Sequence, residues 1–222
     1  MEQIEKNSVS SKDQLKGKGS VAFIGSGKGI KVLFVGNSIT WHSPAPQIGW
    51  NNEWGMAASA LEKDYVHILI SKIREKNPDA AFCIAQVADW EREFMHGEDV
   101  LPKYKEASDF GADLIIVRCI ENCPYDTFDS EKFIEEYNKL IDYFNKDKKA
   151  KIIITTGFWK HKGNEAIRRA AKEKGYPVVE LGDLGEMDEM KAVGLFDHEG
   201  VANHPGDKGM AMIAERIFEQ IK

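Results

Sequence analysis

The sequence predicts one three-layer α/β domain, in which helices cover both faces of a parallel sheet. Runs of branched apolar residues recur along the chain, and such continuous runs are typical of strands buried on both faces. Stretches of helical periodicity separate them, so strand and helix alternate from residue 31 to the end, as in right-handed βαβ units. The 222 residues are 42% hydrophobic and 30% charged, which suits one core, and no internal repeat or low-complexity linker divides them.

Six apolar runs are predicted to be strands. The first two, VAFI at 21–24 and KVLFV at 31–35, flank a glycine-rich segment, which predicts a hairpin turn between them. That segment matches neither GxGxxG nor GxxxxGK[ST], so it does not indicate a phosphate-binding loop. The remaining predicted strands are 81–85, 113–119, 151–156 and 177–181.

Helical periodicity marks the segments between the strands. The predicted helices are 57–76, 91–108, 130–146, 162–175 and 206–221. Residues 1–20 are polar and have little apolar periodicity. We therefore expect an N-terminal extension at 1–30, consisting of an arm and an edge strand, followed by the main domain at 31–222.

Composition excludes several classes of partner. The formal net charge of -6 and the pI near 5.6 leave no basic footprint for nucleic acid or an anionic membrane. No apolar run approaches the ~18 residues of a spanning helix, and residues 1–20 lack the apolar core of a signal peptide, so we expect a cytoplasmic protein. The three cysteines, Cys83, Cys119 and Cys123, lack paired CxxC spacing and are predicted to be reduced core thiols.

Polar residues that follow predicted strands are the candidates for chemistry, because ligands of open parallel sheets bind beyond the carboxyl ends of the strands. Ser38, in Gly36-Asn37-Ser38, directly follows the strand 31–35. A serine hydroxyl becomes a nucleophile when a base removes its proton, and His204, before the last helix, is the candidate base. Without the histidine, Ser38 would be interpreted as a turn or helix-cap residue.

Donors for a developing oxyanion follow two other strands. Asn122 comes after the strand 113–119, and its side-chain amide can donate a hydrogen bond. The backbone N–H of Ser38 would be a second donor. A third would come from the loop after 81–85, which begins Gln86-Val87-Ala88.

Three motifs resemble those of the SGNH hydrolases, also called the GDSL esterase/lipase family: Gly36-Asn37-Ser38 after a strand, Asn122 after a middle strand, and His204-Pro205 before the last helix. The family's usual blocks are Gly-Asp-Ser, a glycine, Gly-x-Asn-Asp and Asp-x-x-His-Pro, and the resemblance extends from about residue 31 to 221. It implies a flavodoxin-like α/β/α fold and no cofactor. It also implies ester hydrolysis through an acyl-serine, with Ser38 and His204 catalytic and Ser38, Ala88 and Asn122 forming the oxyanion hole.

The first block is present as a recognised variant, and the sequence departs from the family pattern at the other three blocks. Gly36-Asn37-Ser38 replaces Gly-Asp-Ser, and Ala88, with Val87 as the alternative, stands where the second block has glycine. Ile120 and Cys123 flank Asn122 in place of the usual glycine and aspartate.

The residue three positions before His204 is Val201, where the family has its triad acid. Asp197, Glu199 and Glu121 are the nearby carboxylates. The acid should approach Nδ1 and stay away from the oxyanion, which disfavours Glu121, and the longer side chain favours Glu199 over Asp197. A serine–histidine dyad oriented by a backbone carbonyl is a further alternative.

Three tryptophans fall within residues 41–54, directly after Ser38, and loops in this position commonly line pockets. Trp41 and Trp54 are predicted to bind substrate, with core packing as the alternative for each ring. Trp90 and Trp159, also beyond strand ends, would form the opposite wall or pack in the core.

Because His198 and His204 match no familiar ligand spacing, no metal site is predicted.

The sequence thus predicts a serine ester hydrolase for short acyl groups, with acetyl preferred over longer chains, carried on a small molecule or carbohydrate. The alternatives are a thioesterase or lysophospholipase, and a carbohydrate-binding protein that has lost turnover. The net charge of -6 suits a neutral substrate better than an anionic one. The natural substrate and the oligomeric state are left open by the sequence.

Overall fold

The structure is a computed structural model that describes residues 16–25 and 28–221. Its seven-stranded sheet has the order β1-β2-β4-β3-β5-β6-β7. The strands are β1 (Lys16–Lys18), β2 (Val21–Ile24), β3 (Lys31–Gly36), β4 (Ala81–Gln86), β5 (Leu114–Arg118), β6 (Lys151–Thr155) and β7 (Val178–Val179). Strands β3 to β7 are parallel, and β1 and β2 are antiparallel to their neighbours.

The expected hairpin between residues 21–24 and 31–35 is wrong. Strand β4 lies between β2 and β3, pairing Phe82 with Ile24 on one side and with Val32 on the other. The helical crossover after β3 places β4 along one edge of β3, and β2 pairs with the other edge of β4. The sheet therefore includes part of the N-terminal extension. The predicted arm at 1–15 and two residues of the glycine-rich turn, Ser26 and Gly27, lie outside the described residues.

Helices cover both faces of the sheet. They are α1 (Tyr65–Lys76), α2 (Ala88–Arg92), α3 (Gly97–Val100), α4 (Lys105–Asp109), α5 (Ser130–Phe144), α6 (Gly163–Lys174), α7 (Glu199–Ala202) and α8 (Asp207–Ile221). Short 3₁₀ helices lie at Pro46–Ile48, Leu61–Lys63, Phe94–His96, Leu101–Tyr104, Leu184–Glu186 and Asp188–Met190. The expected three-layer α/β/α architecture is confirmed.

Two predicted helices differ from the structure for local reasons. The helix expected at 57–76 begins at Tyr65, where Asp64 is the N-cap and accepts a hydrogen bond from the His67 N–H at 2.7 Å. Ala57 has a φ of 74°, which is incompatible with helix. The helix expected at 91–108 is divided among α2, α3 and α4, with Pro102 in the intervening 3₁₀ turn.

In the strands from β2 to β7, alternate side chains enter different cores. On β3, Val32 and Phe34 pack on the side of α1 and α8, whereas Leu33 and Val35 pack on the side of α5 and α6. This double burial explains why the strands are continuous apolar runs. The three cysteines are buried and unbonded. Among the described residues, no helix combines the length and the apolar character needed to cross a bilayer.

Candidate active site

The turn after β3 presents Ser38 at the carboxyl edge of the sheet. The amides of Thr40 and Trp41 both donate to the Asn37 carbonyl, at 2.9 and 3.0 Å, which closes the turn directly around Ser38. Gly36 ends the strand in close contact with the Thr40 side chain and with the Arg118 carbonyl, where a Cβ atom would not fit. The glycine therefore permits the tight packing that exposes the serine.

The structure brings Ser38 and His204 together across 166 residues of sequence. The Ser38 Oγ lies 2.8 Å from Nε2 of His204, and the Gly200 carbonyl oxygen lies 2.7 Å from Nδ1. A carbonyl oxygen only accepts hydrogen bonds, so Nδ1 carries the proton of the neutral ring. Nε2 is then unprotonated and accepts from the Ser38 hydroxyl. This arrangement can transfer the serine proton to the histidine.

The surroundings of His204 keep its ring neutral. Withdrawal from water lowers the pKa of His204 to about 4, although the hydrogen bond to the Gly200 carbonyl acts in the opposite direction. Trp159 packs edge-on against the ring, with the centroids 5.3 Å apart. The imidazole is therefore neutral at pH 7 and held in one orientation, so Nε2 is available to accept the Ser38 proton.

The structure differs from the expectation that Glu199 orients His204. Glu199 begins α7 and is exposed, as is Asp197. Gly200 lies in α7, four residues before His204. Its main-chain carbonyl, and not a carboxylate, accepts the hydrogen bond from Nδ1 of His204. The geometry is that of the dyad oriented by a backbone carbonyl.

The three expected oxyanion donors lie around one cavity. Ser38, Ala88, Asn122 and His204 all line a space of about 220 Å³ beyond the strand ends. Ala88 is the first residue of α2, and its N–H donates to the side-chain oxygen of Gln86 at 3.1 Å. The Ala88 donor is thus occupied by a neighbouring side chain that a substrate oxygen would have to displace.

The Asn122 amide is held from behind by a buried carboxylate that the sequence prediction missed. Its Nδ2 donates to Oε2 of Glu91 at 2.5 Å, and Glu91 is fully buried in α2. An amide nitrogen has two hydrogens, so one is used for Glu91 and the other is free for a ligand in the cavity.

Glu91 belongs to a buried polar cluster below the serine, which consists of Asn37, Glu91, Arg118 and Glu121. Asn37 Nδ2 donates to Glu91 at 2.9 Å and to Glu121 at 2.6 Å, and Arg118 Nη2 donates to Asn37 Oδ1. Arg118 also forms an ion pair with Glu121 at 2.6 Å, and the Phe158 N–H donates to the same carboxylate at 2.9 Å.

The pKa values of the two carboxylates in this cluster are shifted in opposite directions. Burial and the nearby negative charge of Glu121 raise the pKa of Glu91 to about 7. The pKa of Glu121 is lowered despite its burial, because Arg118, Phe158 and Asn37 stabilise the charged form. One sequence signal pointed to the cluster: Arg118 interrupts an apolar strand buried on both faces, where an arginine needs a partner.

The tryptophans expected on the substrate surface are mostly in the core. Trp54 is 3% exposed, packs edge-to-face against buried Trp50 and donates from Nε1 to the Ala58 carbonyl at 2.9 Å. Trp41 is 5% exposed and borders a second small cavity beside the first. Trp90 is buried against Phe133 and Tyr137 on the opposite face of the sheet. Packing against each other and against neighbouring rings accounts for these positions.

Both polar and apolar side chains supply the remaining cavity wall. Those that the sequence prediction had not assigned to the site are His42, Gln86, Arg92 and His198. The apolar wall consists of Ile48, Met56 and Val201. The lining combines hydrogen-bonding groups with an apolar surface of similar extent, and both kinds of surface are found in sites for small molecules.

Comparisons with known proteins find similarity in structure. No protein-family model matches the sequence, and no curated protein sequence matches it. The psychrotrophic esterase EstA from Pseudoalteromonas sp. gives a TM-score of 0.54 at 10% identity, covering 86% of this chain and 96% of that chain. A family two carbohydrate esterase from Clostridium thermocellum, in complex with cellohexaose, gives 0.54 at 16% identity, covering 87% and 63%.

The salicylyl-acyltransferase SsfX3, from a tetracycline biosynthetic pathway, has the same fold. It gives a TM-score of 0.58 at 14% identity, covering 89% of this chain and 56% of that chain. At such identities the similarity establishes the fold alone. The α/β/α fold implied by the motif resemblance is confirmed.

Proposed function

We propose that the protein hydrolyses short acyl esters, with Ser38 as the nucleophile and His204 as the general base. The observation that carries the proposal is the 2.8 Å contact between Ser38 Oγ and an Nε2 atom that must be unprotonated. Ser38 lines a cavity with two further hydrogen-bond donors, so an acyl carbonyl can be attacked and its oxygen held in one place. Structures of the same fold include esterases, which supports this class of reaction.

The reaction proceeds through an acyl-serine. His204 takes the Ser38 proton as Oγ attacks the ester carbon, and it then gives that proton to the departing alcohol as the C–O bond breaks. Water attacks the acyl-serine with the same histidine as base, releasing the acid and restoring Ser38. The Ser38 and Ala88 amides and the Asn122 side chain stabilise the oxyanion in both halves of the reaction.

The preferred substrate is an acetyl or similarly short ester on a carbohydrate. The cavity of about 220 Å³ is smaller than the ~300–1,000 Å³ of typical ligand sites, which favours a short acyl group. Gln86, Arg92 and His198 on its wall can form hydrogen bonds with sugar hydroxyls. The carbohydrate esterase with bound cellohexaose supports the same choice of substrate.

Hydrolysis of p-nitrophenyl acetate tests the proposal. We expect Ser38→Ala to abolish p-nitrophenol release above the uncatalysed rate and His204→Asn to lower it nearly as much. Ser71→Ala, on the exposed side of α1, is the matched control and should retain wild-type activity. Activity that survives in Ser38→Ala would refute the assignment of the nucleophile.

Two further measurements separate the alternatives. A carbohydrate-binding protein without turnover would leave Ser38 unlabelled by a fluorophosphonate, whereas an activated serine reacts. A thioesterase or lysophospholipase would hydrolyse acyl chains longer than about six carbons faster than acetate, because the length of the acyl pocket governs this preference. We expect labelling of Ser38 and a preference for acetate.

A further inference from the structure

Within the buried cluster, the Glu91 side chain is the acceptor for the Asn122 amide, a proposed oxyanion donor. Its Oε1 accepts from Asn37 at 2.9 Å, and its Oε2 accepts from Asn122 at 2.5 Å. The carboxylate lies beneath the Asn122 amide and does not line the cavity. It therefore acts on catalysis through the side chains that it holds, and Asn122 is the one of these that lines the cavity.

Arg118 determines the direction of the hydrogen bonds that lead from its guanidinium through Asn37 to Glu91. A guanidinium only donates, so the Asn37 atom that faces Arg118 must be the oxygen. Asn37 then presents its nitrogen to Glu91, which must accept. An ionised Glu91 has acceptors on both oxygens and therefore requires the nitrogen of Asn122 on its other side.

We propose that Glu91 is a positioning residue, which in its ionised form holds Asn122 with the amide nitrogen, rather than the amide oxygen, available to the oxyanion. This inference rests on the proposed function of Ser38 and Asn122. When Glu91 is protonated, Oε1 still accepts from Asn37, and the O–H on Oε2 must donate. The Asn122 amide then turns to present its oxygen, and the oxyanion loses a donor.

The charges around Glu91 place this change near neutral pH. Arg118 is the buried cation of the cluster, and it forms an ion pair with Glu121. Burial and the negative charge of Glu121 raise the pKa of Glu91 to about 7. The titratable and charged groups that face Glu91 are Glu121, Arg118, Tyr104, Cys119, Cys123 and Tyr137. Burial raises the pKa of each of these tyrosines and thiols, so they remain neutral between pH 5 and 9.

A double-mutant cycle tests the proposal on p-nitrophenyl acetate. Glu91→Gln mimics the protonated side chain, because its amide oxygen accepts from Asn37 and its nitrogen faces Asn122. We expect kcat to fall by about 10- to 100-fold with little change in KM, and Asn122→Ala to lower kcat by about 100-fold. In the Asn122→Ala background, Glu91→Gln should cause no further loss, because the two residues act as one unit.

The pH profile gives a second readout that needs no change at position 91. In the wild type, kcat/KM should rise with pH through about 7, well above the pKa of about 4 of His204. Asn122→Ala should lose the step near pH 7 and keep the one due to His204. The matched control is Glu136→Gln, since Glu136 is 2% exposed but pairs with Lys132 and Lys139 on α5, and it should behave as wild type.

The outcomes separate this inference from the proposed function. If Ser38→Ala keeps activity, the nucleophile assignment fails. If Ser38→Ala is inactive but Glu91→Gln retains wild-type kcat, or if its loss adds fully to that of Asn122→Ala, the positioning role of Glu91 is overturned. A wild-type profile without the step near pH 7 overturns it as well, even if Glu91→Gln does not fold.

Discussion

The main-chain carbonyl of Gly200 lies 2.7 Å from Nδ1 of His204, in the position that a triad carboxylate would occupy. A carbonyl determines the tautomer and the orientation of the ring as a carboxylate does, but it brings no negative charge to the imidazolium. This difference agrees with the low pKa of His204, for which withdrawal from water is the largest cause. The site therefore depends on geometry more than on charge to activate Ser38.

The first prediction concerns the carboxylates near His204. Glu199→Gln and Asp197→Asn should each keep kcat/KM for p-nitrophenyl acetate within about twofold of wild type, because both side chains are exposed and such charges act weakly. Steady-state kinetics at pH 8 provide the measurement. A fall of about 100-fold in either variant would show that a carboxylate orients the ring during turnover.

A second prediction follows from the hydrogen bond between the Ala88 N–H and the Gln86 side chain. A substrate oxygen must displace Gln86, which costs about 1 kcal/mol, so Gln86→Ala should raise kcat/KM about fivefold for p-nitrophenyl acetate, which has no sugar hydroxyls for Gln86 to bind. Gln86→Glu places a charged acceptor at the same donor and should lower kcat/KM. If both variants have wild-type kinetics, the Ala88 amide does not contribute to the oxyanion hole.

The architecture could be predicted because it follows from local patterns. Continuous apolar runs identified β3, β4, β5, β6 and β7, and their parallel arrangement followed from the intervening helices. The partner of β2 could not be predicted, since a glycine-rich connection is compatible with a hairpin and with a strand one place removed. Pairing across the sheet depends on which edge remains free after the helical crossover.

The site could be predicted in part. Ser38, Asn122 and His204 follow strands or precede a helix, and the sheet brings such positions to one edge. The Gly200 carbonyl has no side chain to leave a signal in the sequence. Glu91 could not be identified either, because a glutamate in a short helix gives no indication that it is fully buried.

A third prediction distinguishes core packing from substrate binding at Trp54. Trp54→Phe removes the buried hydrogen bond to the Ala58 carbonyl and should lower the free energy of unfolding by about 1–3 kcal/mol. The corresponding fall in Tm is roughly 2–4 °C per kcal/mol, and KM for acetylated sugars should not change. Trp41→Phe is the matched control, because Trp41 Nε1 is buried without a hydrogen-bond partner among the described residues. A raised KM without a change in Tm would restore Trp54 to the substrate surface.

The last prediction concerns Asn37, which stands where the related motif usually has aspartate. The Asn37 amide donates to Glu91 and Glu121, so Asn37→Asp removes both donors and places a third carboxylate beside Arg118. We expect the variant to lose about 3 kcal/mol or more of unfolding free energy at pH 8, since a buried charge is left uncompensated. The crowded carboxylates bind protons more tightly in the folded state, so the loss should shrink as the pH falls toward 5. Urea denaturation at the two pH values measures this difference, and an equal loss at both would show that charge repulsion is not its cause.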